Sequence, residues 1–164
     1  MINGETNTNF GYFIRIVQFS INPFWLTGFV DGEGCFYVKL YYSNDIPKVS
    51  ISFSIYQNVR DLDLLNNIQN YFKCGIIEIV TTRPNAAKYV VYCFEDIISK
   101  VIPFFDEYGL HGVKKLDYYD FRKIAFILLQ FKDRKSNKSA ILDENTFNNI
   151  KLIKLKMNRN RVIE

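Results

Sequence analysis

Strict alternation of apolar and polar side chains is the clearest pattern in the sequence. It runs from residue 35 to 42 and again from 48 to 56, and the residues between them, 43–47, are of types common in turns. A period of two predicts half-buried strands, so this region is predicted to form a hairpin with one buried face. The predicted inward positions are Phe36, Val38, Leu40, Tyr42, Val49, Ile51, Phe53 and Ile55.

Helical spacing and turn residues predict the remaining elements. Residues 58–72 place an apolar side chain at every third or fourth position, which is typical of an amphipathic helix. Asn22 and Pro23 are suited to the cap and first turn of a helix. The full prediction is a helix at 22–32, strands at 35–42 and 48–56, a helix at 58–72, strands at 75–82 and 88–93 around the turn Arg83-Pro84-Asn85, and helices at 95–108, 116–131 and 145–157.

This order, αββαββα with additional helices, predicts an α+β fold. Two hairpins, each followed by a helix, give an antiparallel sheet with helices on one face and an open, concave second face. We interpret residues 1–21 as an N-terminal extension, 22–131 as the core, and 132–164 as a basic helical extension of the same domain. The open face is either an ordinary solvated surface or a binding face, since a β-ribbon with Ser, Lys, Arg and Tyr fits the DNA major groove.

The composition excludes several classes of protein. In 164 residues the purest apolar stretch, 124–129, is far shorter than the roughly 18–20 residues that span a bilayer, and the first ten residues do not resemble a signal peptide. We therefore expect an intracellular protein without a membrane span. Three cysteines and one histidine, His111, cannot build a disulfide framework or a Cys/His zinc site, so any metal must use oxygen ligands.

Charge and residue usage add two weaker expectations. The net charge is +4, and from residue 132 onward nine Lys and Arg face four Asp and Glu, whereas the rest is close to neutral. The basic stretch 151–161 is either a solvated helix face or a phosphate contact. Ile, Asn, Lys, Phe and Tyr make up nearly half of the chain, which suggests an AT-rich genome such as that of a mitochondrion or chloroplast.

The segment Leu26-Thr27-Gly28-Phe29-Val30-Asp31-Gly32-Glu33-Gly34 resembles the motif of the LAGLIDADG homing endonuclease family. Glycines and acids stand at the motif's places, with a predicted helix before them and an alternating strand after them. The resemblance extends over residues 22–131, including the stretch 112–121. It implies the family's αββαββα fold with a saddle-shaped sheet, and a site-specific endonuclease that cuts double-stranded DNA.

The motif occurs once, which in this family implies a homodimer that cleaves a long pseudo-palindromic site. Gly28 and Gly32 lie four residues apart on one helix face, and the absence of side chains permits close approach of a second helix. The resemblance implies a dimer interface made of Leu26, Thr27, Gly28, Asp31 and Gly32. Asp31 is alternatively a capping residue.

The resemblance also implies a divalent metal site at the end of this helix. Glu33 and the backbone carbonyl of Gly32 would be the ligands, with the second subunit's Glu33 and scissile phosphates completing the site. Mg²⁺ is the expected cofactor, with Mn²⁺ as a substitute and Ca²⁺ bound without cleavage.

Gln57 and Lys114 match the family's outer catalytic positions. Gln57 as a helix cap, Lys114 as a solvated loop residue and Lys115 in place of Lys114 are the alternatives.

DNA contacts are expected from the outward residues of the two hairpins. Two other functions fit the same scaffold: an RNA maturase that assists intron splicing, and a DNA-binding regulator that does not cut. Glu33 favours the nuclease, because a carboxylate beside a phosphate weakens simple binding. The predicted DNA-contacting residues are Tyr37, Lys39, Tyr41, Ser43, Lys48, Ser50, Ser52, Ser54, Tyr56, Thr81, Arg83 and Lys88.

Overall fold

The computed structural model describes residues 20–131, 142–158 and 161. These residues form an α+β domain in the predicted order, so the fold class is confirmed. Apart from Ser20 and Ile21, the N-terminal extension lies outside the described residues, and Ile21 packs into the core. The elements are α1 (Pro23–Glu33), β1 (Gly34–Ser43), β2 (Ile46–Asn58), α2 (Leu62–Phe72), β3 (Ile76–Ile79), β4 (Ala86–Val91), α3 (Phe94–Asp96), α4 (Ile102–Tyr108), α5 (Lys114–Phe131) and α6 (Glu144–Lys154).

The four strands form one antiparallel sheet in the order β1-β2-β4-β3. Asn44 and Asp45 both have positive φ, as a tight two-residue hairpin turn requires. In the first hairpin Phe36 pairs with Phe53, so the large inward side chains of both strands lie on the same face. Because β1 is an edge strand, one side of it is left without a strand partner.

An aromatic core joins the helices to the inner face of the sheet. The ring of Phe36 lies 5.2–5.3 Å from the rings of Phe53, Phe105, Tyr118 and Phe121. The buried Tyr118 hydroxyl donates to the carbonyl of Ile102 at 3.0 Å, so this polar group is satisfied. The sheet's inner face is thereby covered, whereas none of the described elements packs over its other face, which we call the open face.

The structure corrects several element boundaries. The helix predicted at 95–108 starts at Phe94 and contains a π-helical segment, Ile97–Val101. The helix predicted to start at residue 116 starts at Lys114. Tyr42 was predicted to point inward, but it is 56% exposed and packs edge-on against Phe147 of α6.

The C-terminal residues that the structure describes pack against the core. Leu142, Phe147, Ile150 and Met157 are all buried in the core. Among the described residues there is no helix with both the length and the apolar character that crossing a membrane requires.

Candidate active site and nucleic-acid interface

Helix α1 starts at a side-chain cap and ends directly at the sheet. Asn22 Oδ1 accepts from the backbone N–H groups of Phe24 and Trp25 at 2.9 and 3.2 Å. At the other end a Cβ on Gly34 would lie 2.5 Å from Val30 Cγ1, so only glycine fits there. The chain therefore passes from helix to edge strand without a loop, and Glu33 is exposed at this junction.

The structure corrects the predicted dimer interface at two residues. Leu26 and Thr27 are 0% and 1% exposed, and the Thr27 hydroxyl donates to the carbonyl of Phe24 at 2.9 Å. Both side chains point into their own protomer and cannot meet a second helix. The interface prediction took neighbouring residues of the motif together, although successive side chains of a helix point in different directions. The period of the helix places Leu26 and Thr27 on its inner side.

The opposite side of α1 is exposed and has no side chains at two positions. Phe24 and Trp25 are 65% and 46% exposed, and a Cβ on either Gly28 or Gly32 would meet nothing within 4 Å. We call Phe24, Trp25, Gly28 and Gly32 the free face of α1. None of the residues that the structure describes covers these aromatic side chains and the bare backbone beside them, and exposed apolar patches of this kind mark sites of protein–protein contact.

Asp31 ties the end of α1 to the loop that precedes α5. Its Oδ2 atom accepts from the backbone N–H of His111 at 2.9 Å. Its Oδ1 atom is buried without a hydrogen-bond partner among the described residues, and it lies 3.1 Å from where a Cβ on Gly112 would stand. These contacts favour the capping alternative for this carboxylate, because it is engaged within its own chain.

Lys114, which is distant from α1 in the sequence, caps the last turn of this helix. Its Nζ donates to the carbonyls of Val30 and Gly32, both at 3.0 Å. The last carbonyls of a helix lack partners within the helix and carry its negative dipole, so an ammonium is a favourable cap. Burial lowers the pKa of Lys114, although the nearby thiol of Cys35 and the carboxylate of Asp31 act in the opposite direction.

This geometry separates Lys114 from its neighbour Lys115, which is exposed. Lys114→Met is expected to lower the free energy of unfolding by about 1–3 kcal/mol, because the part-buried carbonyls lose their donor. Lys115→Met is the matched control and should stay within about 0.5 kcal/mol of wild type. Urea unfolding of both variants measures the difference. Equal stability of the two variants would show that the cap contributes nothing.

Gln57 lies on β2 beyond the point where β1 begins. Ile55 pairs with Gly34, the first residue of β1, and Gln57 pairs with Ala87 of β4. The Gln57 side chain is half-buried. No hydrogen bond joins it to Glu33 or Lys114 within the described part of the chain, so its outer catalytic role stays a prediction.

The donor set at the end of α1 suits a hard cation only in part. Glu33 is an exposed carboxylate, and the carbonyl of Gly32 keeps one lone pair beside the one that accepts from Lys114. Among residues 20–131, 142–158 and 161, no group of three or more His, Cys, Asp or Glu could hold a metal. Mg²⁺ needs only one or two carboxylates together with water and phosphate oxygens, so these two oxygen donors fit part of such a coordination shell.

The first hairpin presents most of the predicted DNA-contacting residues on the open face. The register sets Tyr37 opposite Ser52, and Lys39 opposite Ser50. The Lys39 ammonium lies 5.3 Å from the centre of the Tyr41 ring. Hydroxyl, ammonium and phenol groups thus alternate across the strands. Of the predicted residues, Tyr37, Lys39, Tyr41, Ser43, Ser50, Thr81 and Arg83 are exposed, and Lys48, Ser52, Tyr56 and Lys88 are half-buried.

Ser54 is a second correction, because it is only 6% exposed although the alternation placed it on the outer face. It sits in the middle of the sheet between Cys35 of β1 and Val90 of β4. Neighbouring strands on both sides cover a small side chain, which a single-strand pattern does not reveal. Ser54 is therefore withdrawn from the contact residues.

Lys88 lies on the open face but is already paired. Its ammonium is 2.9 Å from Glu78 Oε2 and donates to the Tyr92 hydroxyl at 3.0 Å. These two partners raise the pKa of Lys88 even though burial acts to lower it. The sequence pattern does not indicate Glu78 or Tyr92 as partners of Lys88. Cross-strand pairing of Glu78 with Lys88 brings them together, and that signal appears only once the register is known.

An αββαββα scaffold, with a motif helix ending in an exposed acid beside an open polar sheet face, defines an endonuclease scaffold of the LAGLIDADG type. The family described as LAGLIDADG endonuclease matches residues 26–125, and the chain therefore belongs to this family. The recognition made from the motif is confirmed.

Similar proteins include a probable intron-encoded endonuclease 2 from Neurospora crassa, 36% identical over 114 residues that cover 70% of this chain and 24% of that protein. The homing endonuclease I-ApeII from Aeropyrum pernix is 30% identical, with 73% of this chain and 71% of that protein covered. The meganuclease I-SmaMI bound to uncleaveable DNA superposes with a TM-score of 0.77 and 37% identity, covering 87% of this chain and 47% of that one. The chain thus spans about a quarter of its Neurospora relative and about half of I-SmaMI.

Proposed function

We propose that the protein is a site-specific endonuclease that cuts both strands of DNA with Mg²⁺, acting as a homodimer at a long pseudo-palindromic site. The observation that carries this proposal is the exposed Glu33 carboxylate at the end of α1, beside a free helix face with two bare glycines. The named activities of I-ApeII and the DNA complexes of I-SmaMI support it. I-SmaMI has also been solved with uncleaved DNA in the presence of calcium ions.

Each residue of the site has a chemical task in this proposal. Glu33 and the Gly32 carbonyl would hold the cation at the negative end of the α1 dipole. A divalent cation held there would supply Lewis-acid chemistry, which acidifies a water and stabilises charge on the phosphate and on the leaving oxygen. Lys114 holds the helix end in place and adds positive charge near the reacting phosphate. Gln57 would orient water from β2.

A second copy of this chain is the partner that the free face of α1 requires. The end of α1 carries one exposed carboxylate, that of Glu33, while cutting two strands requires two sites. Pairing of two α1 helices through Gly28 and Gly32 would bring both Glu33 residues to one axis. A two-fold axis predicts two related half-sites, and hence a pseudo-palindromic target.

The open sheet face would lie in the DNA major groove. Its hydroxyl and ammonium groups suit base edges and phosphates. Arg83 lies over the ring of Tyr56 at 5.8 Å, which steadies an otherwise exposed guanidinium. An organellar location is part of the proposal, since a similar yeast protein is named as mitochondrial.

The proposal is tested by cleavage of a plasmid that carries the intron-less insertion site of the gene. Linear product with Mg²⁺, and binding without cutting with Ca²⁺, is the expected result. Binding without cutting in any divalent cation would indicate the DNA-binding regulator instead. Preferential binding of the intron RNA over the plasmid site would indicate the maturase.

Removing the acid of the Glu78–Lys88 pair is expected to strengthen DNA binding, whereas removing a basic contact residue would weaken it. Glu78→Gln is expected to tighten binding to random-sequence duplex, because it removes a negative charge from the open face and releases Lys88. One more neutralised phosphate steepens the slope of log affinity against log salt by about 0.9. Asp63→Asn, an exposed acid on α2 behind the sheet, is the control and should change neither quantity. An unchanged slope in Glu78→Gln would remove this part of the sheet from the DNA interface.

A further inference from the structure

A cleft of about 710 Å³ opens beside the end of α1. The end of α1, the unpaired edge of β1, the first turn of α5 and residues 154–158, which we call the C-terminal segment, surround it. Residues from four separate parts of the chain therefore meet at one place. Its lining includes Gly32, Tyr37, Lys114, Asp117, Lys154 and Asn158.

The C-terminal wall of this cleft is fastened to α5 by a buried carboxylate. Asp117 is 7% exposed, and its Oδ1 atom accepts from the backbone N–H of Asn158 at 2.9 Å and from Arg161 Nε at 3.0 Å. Arg161 also donates to Asp120 at 2.6 Å. The side chain of Asn158 donates to the carbonyl of Phe36 on the open edge of β1 at 3.3 Å. The segment is thus held at both α5 and β1.

These contacts decide the charge of the cleft. Asp117 contributes a carboxylate, and the guanidinium of Arg161, which lies 2.9 Å from it, is shared between Asp117 and Asp120. Lys114 reaches the cleft from the catalytic side and Lys154 from α6. Lys154 makes no ion pair with any residue that the structure describes, and its side chain is half-buried. Two ammonium groups and a phenol, beside the end of α1, suit a singly charged phosphodiester.

We propose that this cleft binds a phosphate of the DNA backbone next to the scissile position, with Lys154 as its contact. The C-terminal segment is then part of the DNA-binding surface, and Arg161 is the positioning residue that holds it there. This inference rests on the proposed DNA-binding function and extends it to a segment outside the motif and the sheet.

Lys151 is a matched control for Lys154, because it lies on the same helix with the same charge but is exposed and does not line the cleft. Binding to one labelled duplex is measured over a series of KCl concentrations without divalent cation. The steepness of the decline of log affinity with log salt is expected to fall by about 0.9 in Lys154→Gln, which corresponds to the loss of one phosphate contact. Lys151→Gln should keep the wild-type steepness. Lys154→Arg keeps the charge and should keep the slope.

A second variant tests the fastening. Arg161→Met should reduce the steepness of the salt dependence as Lys154→Gln does. The double variant should reduce it little further, because both substitutions remove the same phosphate contact. Equal slopes for Lys154→Gln and Lys151→Gln would overturn the inference while leaving DNA binding in place. Absence of DNA binding by the wild-type protein would instead contradict the proposed function itself. Circular dichroism of each variant checks that the domain is folded.

Discussion

Replacing Glu33 by Gln is expected to abolish DNA cleavage while DNA binding is kept. The side chain is exposed and makes no hydrogen bond to another described residue, so the amide should fit without disturbing α1. Loss of an anionic metal ligand removes several kcal/mol of transition-state stabilisation, which corresponds to roughly a 10³-fold slower reaction. Removing a negative charge beside the phosphates should leave affinity unchanged or slightly higher.

Single-turnover cleavage with Mg²⁺, together with binding by fluorescence anisotropy, measures the two quantities separately. Glu107→Gln provides the control, because Glu107 is also an exposed acid but lies at the end of α4. It should cut at the wild-type rate. Cleavage by Glu33→Gln within about tenfold of wild type would show that the metal is held elsewhere, because tenfold is only about 1.4 kcal/mol.

The element order and the inward face of the first hairpin followed from the sequence because both depend on local periodicity. Phe36, Val38, Ile51, Phe53 and Ile55 are all buried, as the alternation predicts. Each of these positions is decided within its own strand. The alternation is reliable there because a one-residue shift would expose every large side chain.

The facing of α1 was predicted less well, since it depends on how the helix is rotated against the sheet. A nine-residue motif that is apolar nearly all round does not show which side is buried. The structure places Leu26 and Thr27 inside and leaves Trp25 and Gly28 outside. Only the packing of the rest of the chain settles that rotation.

Contacts between distant parts of the chain were beyond the reach of the sequence. The hydrogen bond from Lys114 to Val30 joins residues 84 positions apart, and Asn158 reaches Phe36 across 122. No periodicity links such residues. The sequence could propose Lys114 only through the family resemblance, and it left the role of the C-terminal segment open.

Replacing Gly28 by Leu is expected to stabilise the protomer and to prevent its pairing. A Cβ at Gly28 meets nothing within 4 Å, so the side chain extends into open space. Exchange of Gly for Leu in a helix interior adds up to about 1 kcal/mol of stability. In a paired helix the same side chain collides with the second copy, at a cost of about 1–3 kcal/mol that the two-fold axis counts twice.

The measured outcome is therefore a higher unfolding temperature together with a monomer in sedimentation velocity and loss of double-strand cleavage. Asn66→Leu is the control, because it adds one exposed leucine to α2, outside the free face of α1, and should leave both assembly and cleavage unchanged. A substitution that raises the stability of the fold but prevents formation of the dimer identifies a surface that pairs. On a surface that only faces water, the same substitution would leave assembly unchanged. If Gly28→Leu still assembles and cuts both strands, the glycines of α1 do not lie at the interface. A wild-type protein that is monomeric on its DNA target would contradict the proposed homodimer. In that case one Glu33 would have to serve both DNA strands.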